Sequence, residues 1–320
     1  TNMYCTLISN VLDASTTKII NPVADIYTSD FASYDDLVKA EEELGKQVEA
    51  EGLVLLKNAD QTLPFGSDVK RVSVFGQDSV DFVYGGTGSG SVNASEAVSL
   101  KASLEQAGYE VNTKLWDFYK TGEGSKYRKD FKTVTGAGEF AVNEVPESAY
   151  TADVKKSFAD YKDAAIVVLG RSGGESADLP TETLSTGVKY LQLDPNEEAM
   201  LQMAIASFDK VIVIINASNP LELGFLEKYP VDACLWVGAV GQTGMYAIGE
   251  VLNGTVNVYG SDFSISSAAY DASQNIEYAG SLYYAISDIS NSGPGYSGGY
   301  PLFVKEGSLD VYKFINDLPV

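Results

Sequence analysis

The sequence contains no histidine in its 320 residues. This absence excludes a Ser-His-Asp or Cys-His catalytic system and any zinc or iron site that uses histidine. Carboxylates, lysines and tyrosines remain as the side chains able to transfer protons. Any acid-base chemistry is therefore expected to depend on one of these groups, and neither a metal site nor a cofactor is predicted.

Cysteine and long apolar runs are also scarce. Only Cys5 and Cys234 occur, and Cys234 lies in the apolar stretch VDACLWVG, which favours a buried, unreactive thiol over a disulfide. No apolar run reaches the roughly eighteen residues of a membrane span, so none is predicted. Because residue 1 is not methionine, an export signal could precede it. The sequence leaves the compartment open between the cytoplasm and the cell surface or exterior.

Basic residues are outnumbered two to one: 22 Lys and Arg against 44 Asp and Glu give a formal net charge of −22. Such a surface repels phosphate backbones and anionic lipids. This charge excludes nucleic acid as the main partner, and a solvated acidic surface accounts for most of it.

Short β-branched runs alternate with segments of helical period, and this alternation predicts an α/β fold. One such segment starts with Asp194 as N-cap and Pro195 at the first helical position, and another ends at Gly254, a C-cap signal. The pattern implies a mostly parallel, Rossmann-like sheet with helices on both faces, an α/β sandwich. The predicted strands are RVSVFG, YEVNTKL, AAIVVLG, KVIVIIN and DACLWVG.

Composition divides the chain into three regions. Residues 1–32 are predicted to be an N-terminal lead-in, residues 33–257 the sandwich domain, and residues 258–320 an irregular C-terminal tail in which DVYKFINDL could form a short helix. Helical period extends through SYDDLVKAEEELGKQVEAEGLVLLKN, before the first predicted strand. The stretch from Gly122 to Glu147 is predicted to be a surface insertion.

Two glycine-rich loops are each expected to leave a strand at its carboxyl end, where open α/β sheets bind ligands. One is GRSGGESADLP, from Gly170 to Pro180, and the other includes YGGTGSGSV, from Tyr84 to Val92. The sequence therefore predicts that both loops contribute to one site. YGGTGSGSV matches neither the dinucleotide fingerprint nor the P-loop, so a structural turn or a loop lining another ligand is favoured over nucleotide binding.

Glu175 stands out because its neighbours are too small to cover it. A solvated loop acid is one interpretation. The other is a carboxyl on a flexible arm that reaches into a cleft, where desolvation and a second carboxylate would raise its pKa toward neutrality, as a general acid requires. Asp178, three residues further on, is the nearest rival carboxylate.

A series of motifs occurs in a specific order: EGLVLLKNADQTLPF, VSVFG, YGGTGSGSV, GRSGGESADLP, KVIVIINASNPLELGFL and CLWVGAVGQTGMYAIGEVLNGTVN. From roughly Ser33 to Asn257 this order resembles the α/β sandwich domain of glycoside hydrolase family three, the β-glucosidase type. The resemblance implies a retaining exo-glycosidase in which a barrel domain supplies an aspartate nucleophile. The sandwich supplies the acid/base glutamate, here Glu175.

The resemblance also implies which residues meet the substrate, an oligosaccharide or aryl β-glycoside. The candidate substrate-binding residues are Tyr84, Thr87, Ser89, Arg171 and Asp178. No cofactor is implied. Some bacterial members of the family have the sandwich before the barrel, and the opening segments of this chain resemble that swapped arrangement.

The chain departs from the family pattern in two respects. No eightfold alternation of strands and helices is present, so no barrel is predicted here. Ser261, Asp262 and Phe263 superficially resemble the nucleophile motif of the barrel, but they follow VLNGTVN, where the family has a P-S-G-R-like stretch. We therefore interpret the chain as the sandwich half of a β-glycosidase, inactive without a barrel in cis or on a second chain.

Two other functions stay open at this point. A sandwich without a nucleophile could be a non-catalytic carbohydrate-binding or scaffolding module, because fold does not fix function. A nucleotide-binding Rossmann protein is the other alternative.

Overall fold

The structure is a computed structural model that describes residues 30–133, 135–175 and 178–256 and three strands between 277 and 305. The helices are α1 (Tyr34–Gly52), α2 (Leu100–Gln106), α3 (Thr113–Lys120), α4 (Ala152–Ser157), α5 (Pro195–Ser207), α6 (Phe225–Lys228) and α7 (Met245–Leu252). The strands are β1 (Val54–Asn58), β2 (Arg71–Phe75), β3 (Glu110–Val111), β4 (Ala164–Arg171), β5 (Val211–Ala217), β6 (Ala233–Trp236), β7 (Glu277–Tyr278), β8 (Ser281–Ser287) and β9 (Leu302–Lys305).

One six-stranded sheet organises the domain, with the strand order β1-β6-β5-β4-β2-β3. All neighbouring strands are parallel except the edge pair of β1 and β6. Starting from the centre of the sheet, β3 follows β2 on one side, and β4, β5 and β6 follow one another on the other side. The strand order therefore reverses between β2 and β4, and such a switch point opens a crevice at the carboxyl edge of an α/β sheet.

Both faces of the sheet are buried. Alternate residues of each central strand point to opposite sides, so each strand contributes to two apolar clusters. In β4, Ala165, Val167 and Leu169 belong to one apolar cluster, which includes residues of α3, α4, α5 and α6. Ala164, Ile166 and Val168 belong to the other cluster, which includes residues of α2 and α7. This arrangement confirms the predicted mostly parallel sheet with helices on both faces.

Local sequence signals set the helix ends. The Asp194 side chain caps α5 and forms a capping box with Glu197, and Pro195 is at the first helical position, as predicted. The Ser99 and Asn112 side chains cap α2 and α3 by accepting hydrogen bonds from the N–H groups of Ala102 and Leu115. Gly254, two residues beyond α7, has the positive φ of 79° that a glycine after a helix readily adopts.

The structure corrects two predicted elements at the edges of the sheet. The helical period expected to continue to Asn58 stops at Gly52, and the last five residues of that stretch form β1. A short apolar run cannot be assigned to helix or strand by periodicity alone, and here antiparallel pairing with β6 decides. YEVNTKL supplies only the two residues of β3 before Asn112 caps α3.

The structure agrees with the expectation for the Cys234 thiol and differs from the expectations for the insertion and the tail. Cys234 is a free, buried thiol, as predicted, and burial raises its pKa. Glu144 and Val145, near the end of the predicted surface insertion, are buried instead. In place of the irregular tail expected after residue 257, β7, β8 and β9 form a separate antiparallel sheet of three strands.

By internal contacts the chain divides into two compact units, Thr1–Glu41 and Glu42–Val320. The six-stranded sheet belongs to the second unit. The predicted lead-in up to residue 29, Asp262 with its neighbours, and DVYKFINDL lie outside the described residues. None of the helices in the described ranges has the length and apolar character that crossing a membrane requires.

Candidate active site

The two glycine-rich loops contact each other at the switch point. Strands β2 and β4, which precede them, are parallel neighbours, so both loops leave the same edge of the sheet. The backbone N–H of Ser89 donates a hydrogen bond of 2.8 Å to Glu175 Oε2. The prediction that the loops lie side by side is therefore confirmed.

Glycines allow this close approach. A methyl group added to Gly88 would lie 2.7 Å from Glu175 Cβ and 2.8 Å from its Oε2. One added to Gly174 would lie 2.4 Å from Thr87 Oγ1. Real side chains do not approach so closely, so the loops can make this contact only because Gly88 and Gly174 have no Cβ atom.

Glu175 is exposed, and hydrogen bonds from the Ser89 hydroxyl and backbone N–H hold its pKa below the usual range. Of the two interpretations of Glu175, this environment corresponds to the solvated loop acid. The raised pKa of the other interpretation requires enclosure beside a second carboxylate, whereas Glu175 here faces solvent and accepts hydrogen bonds that favour the charged form.

Replacing Gly88 with alanine tests the contact between the loops. We expect the added methyl group to displace Glu175 from Ser89, so that the pKa of Glu175 rises toward that of an exposed glutamate. Carboxyl NMR titration of the Gly88→Ala variant measures this shift. Gly90→Ala is the matched control, since a methyl group there meets no atom within 4 Å. An unchanged Glu175 pKa in Gly88→Ala would show that the contact does not exist in solution.

The other predicted binding residues of the first loop have distinct settings. The Tyr84 hydroxyl donates to the Val98 carbonyl oxygen at 3.1 Å, and burial raises the pKa of Tyr84. Thr87 Oγ1 is buried and has no hydrogen-bond partner within the described ranges. Ser89 is exposed. Ser89 therefore lies beside Glu175 and Thr87 lies against the preceding Gly174, whereas the polar end of Tyr84 is occupied by the Val98 carbonyl oxygen.

The two predicted binding residues of the second loop lie in opposite environments. Asp178 is exposed. Arg171 is only 1% exposed, and its guanidinium pairs with Glu197 through Oε1 at 2.6 Å and Oε2 at 2.7 Å. Because this pair holds Arg171 inside the protein, the structure gives Arg171 a structural position in place of the predicted substrate contact.

Two buried carboxylates beneath the loops escaped the sequence prediction. Asp78 Oδ2 accepts a hydrogen bond of 2.8 Å from the backbone N–H of Gly170, which ties the segment after β2 to the end of β4. Glu144 accepts hydrogen bonds from the N–H groups of Gln77 and Val145. No sequence motif identifies these two carboxylates, because each accepts hydrogen bonds from backbone N–H groups that the fold brings close.

Burial raises the pKa of Asp78 to about 7, and the nearby Glu197 carboxylate adds to the shift. The folded protein therefore holds this proton more tightly than the unfolded chain, whose aspartates titrate near 4. A raised acid pKa contributes stability below the unfolded pKa, and that contribution is lost as the pH rises from about 4 to about 7.

We expect Asp78→Asn to weaken the pH dependence of the free energy of unfolding. Asparagine is neutral at every pH and can still accept the hydrogen bond from Gly170. Urea unfolding at about pH 5 and about pH 8 should show a smaller decrease for the variant than for the original chain. Equal decreases would mean that Asp78 does not titrate in this window.

Within the described residues, no three His, Cys, Asp or Glu side chains are grouped in a way that could hold a metal ion. The described features define a class of protein: an α/β sandwich with two glycine-rich loops and one exposed glutamate at the switch point. Comparison with known families narrows this class. The model of the glycosyl hydrolase family 3 C-terminal domain matches residues 53–302, and the chain belongs to this family.

Individual relatives agree with the family. The chain is 30% identical to a beta-glucosidase of Ruminococcus albus over 68% of its own length, and 27% identical to beta-glucosidase A of Butyrivibrio fibrisolvens over 68%. A solved beta-glucosidase from Paenibacillus barengoltzii aligns with 67% of this chain at a TM-score of 0.56 and 27% identity.

The chain spans only a part of these relatives: 22% of the Ruminococcus enzyme, 28% of the Butyrivibrio enzyme and 23% of the Paenibacillus structure. The family match also reaches residue 302, beyond the end at residue 257 that the sequence predicts for the sandwich. The matched region therefore includes β7, β8 and the first residue of β9.

Proposed function

We propose that this chain supplies the acid/base glutamate, Glu175, of a retaining exo-acting β-glycosidase. Its substrates would be terminal β-linked glucose or a related sugar. A barrel domain, in cis or on a second chain, would supply the nucleophilic aspartate. Glu175 would protonate the departing glycosidic oxygen and then activate the water that attacks the glycosyl-enzyme.

The position of Glu175 is the observation that carries this proposal. It is an exposed carboxylate on a glycine-containing loop at the switch point, the edge where α/β sheets bind ligands. An exposed carboxylate can reach a substrate held by another domain. The beta-glucosidases among the relatives support the reaction class.

The lowered pKa of Glu175 fits one half of this cycle and not the other. The ionised carboxylate that Ser89 stabilises is the form that can act as a base toward water. Protonating a leaving group requires the acid form, which closure of a barrel over the loop would favour by removing solvent and adding the negative charge of the nucleophile. The proposal therefore places the pKa change at assembly of the two domains.

The proposal predicts that the 320-residue chain alone does not hydrolyse an aryl β-glucoside. Glu175 without a nucleophile can exchange protons but cannot form the glycosyl-enzyme. Absorbance of the released aryl group measures the rate of hydrolysis. Turnover that Asp262→Ala abolishes would contradict the prediction and would identify Asp262 as a nucleophile within the chain.

Activity should appear when a barrel is supplied. The source to use is the part of the Ruminococcus beta-glucosidase outside the 22% matched here, where the proposal expects the barrel, fused to this chain or added to it. We call this combination the barrel-supplied enzyme. A folded barrel-supplied enzyme that turns over neither activated nor unactivated β-glucosides would count against the proposal.

A further inference from the structure

The buried Arg171 joins both ends of the segment that connects β4 to α5 and carries Glu175. Its guanidinium donates five hydrogen bonds, which use all the N–H groups of the side chain. Two of them reach the far end of this connecting segment: Nε donates to the Tyr190 carbonyl oxygen at 2.6 Å, and Nη2 donates to the Gln192 carbonyl oxygen at 2.7 Å. The end of β4 is thereby tied to the segment just before α5.

Tyr190 adds a second tie on the loop side of Arg171. Its hydroxyl accepts a hydrogen bond of 3.0 Å from the Ser172 N–H and donates one of 2.8 Å to the Ser172 carbonyl oxygen. Tyr190 is 1% exposed, and its ring packs edge to face on Phe140 with centroids 5.5 Å apart. Both backbone groups of Ser172 are therefore fixed by a side chain that is itself held by packing.

Glu197 connects this arrangement to a helix. Its carboxylate pairs with Arg171 and also accepts a hydrogen bond of 2.8 Å from the Asp194 N–H as part of the capping box of α5. Glu197 therefore fixes the position of Arg171 relative to the start of α5, a helix of 13 residues that packs on the sheet.

We propose that Arg171, Tyr190 and Glu197 are positioning residues for Glu175, a proposal that rests on the function proposed above. They fix the chain up to Ser172, and Glu175 follows only three residues later, after Gly173 and Gly174. The two glycines leave the carboxylate mobile over a short distance, while the fixed position of Ser172 determines where that motion is centred. None of the three positioning residues needs to touch the sugar.

Tyr190→Phe tests the proposal, because it removes one hydroxyl and keeps the ring. In the barrel-supplied enzyme we expect kcat to fall about tenfold to a hundredfold for substrates with poor leaving groups, the range that misplacement of a catalytic group produces. The kcat for activated aryl glycosides and the KM for both should change much less. Arg171→Lys keeps the charge but loses the planar guanidinium that donates to both oxygens of Glu197, and it should show the same pattern.

A readout on the chain alone accompanies the kinetics. Backbone amide exchange at Gly173 and Gly174, measured by NMR, should become faster in Tyr190→Phe because the backbone of Ser172 loses its hydrogen bonds to the Tyr190 hydroxyl.

Ser103→Ala is the matched control for loss of a buried hydroxyl. Like that of Tyr190, the Ser103 hydroxyl accepts from a backbone N–H, at Gly249, and donates to a carbonyl oxygen, at Met245. It lies between α2 and α7, within the apolar layer on the other side of the sheet from α5. This control should lower the unfolding midpoint without changing the leaving-group dependence or the exchange at Gly173 and Gly174.

The outcomes separate the two proposals. If Glu175→Gln shows the leaving-group dependence of a missing acid but Tyr190→Phe and Arg171→Lys slow all substrates alike, or none, the positioning role is wrong and the proposed function stands. If Glu175→Gln lacks that dependence, the proposed function fails and the positioning role fails with it. Exchange at Gly173 and Gly174 that is unchanged in Tyr190→Phe would also overturn the positioning role.

Discussion

In the barrel-supplied enzyme, Glu175→Gln is expected to lower kcat at least about a hundredfold for β-glucosides with poor leaving groups, the usual contribution of a general acid. Activated aryl glucosides should be affected far less in the first step, because their leaving groups depart without a proton. Rates measured across a series of leaving groups of increasing pKa should therefore fall steeply for the variant and only slightly for the original enzyme.

Asp178→Asn is the matched control for this experiment. Asp178 is the nearest other carboxylate of the same loop and is also exposed, so the two variants remove the same charge from neighbouring positions. A leaving-group dependence in Asp178→Asn and none in Glu175→Gln would transfer the acid role to Asp178. Equal slowing of every substrate in Glu175→Gln would mean that Glu175 is structural.

Glu197→Gln is expected to have the largest effect on stability, a loss of about 3–5 kcal/mol in the free energy of unfolding. The side chains of Arg171 and Glu197 are 0% and 1% exposed, so neither charge has water as an alternative partner. Glutamine cannot neutralise the guanidinium, and its amide N–H groups would face the N–H groups of Arg171. Urea unfolding of the 320-residue chain at neutral pH measures the difference.

Glu198→Gln provides the comparison, since the next residue of α5 also forms an ion pair at 2.6 Å, with Lys228. That pair is partly exposed, and exposed pairs add little to stability because water solvates the separated charges well. We expect a much smaller loss for Glu198→Gln than for Glu197→Gln. Losses of similar size would contradict the view that burial makes the Arg171 pair critical.

Local sequence signals were sufficient for much of the fold. The apolar runs of β4 and β5 predict central strands because both faces of those strands are covered, and Asp194 with Pro195 predicts the start of α5 because capping is decided within one helical turn. The contact between the two glycine-rich loops also followed, since parallel neighbours bring their carboxyl ends to one edge.

Long-range contacts decided the features that sequence could not predict. Arg171 looks like a loop residue in the sequence, but it is the last residue of β4 and its buried charge is paired with Glu197, 26 residues away. Glu144 accepts from Gln77, 67 residues away, and so a stretch that looks like a surface insertion ends in the interior. The pKa of Glu175 depends on hydrogen bonds from Ser89, 86 residues away, and its own neighbours in sequence do not specify that contact.

The most direct test of the central claim, that Glu175 is the acid/base of a glycosidase, is azide rescue of Glu175→Ala in the barrel-supplied enzyme. With an activated aryl β-glucoside the glycosyl-enzyme should still form, but water would lack its general base. Azide needs no base and can attack the anomeric carbon, displacing the nucleophilic carboxylate. We predict faster turnover with added azide and a β-glucosyl azide product, since two displacements retain configuration. Turnover that azide does not change, with glucose as the only sugar product, would contradict the claim.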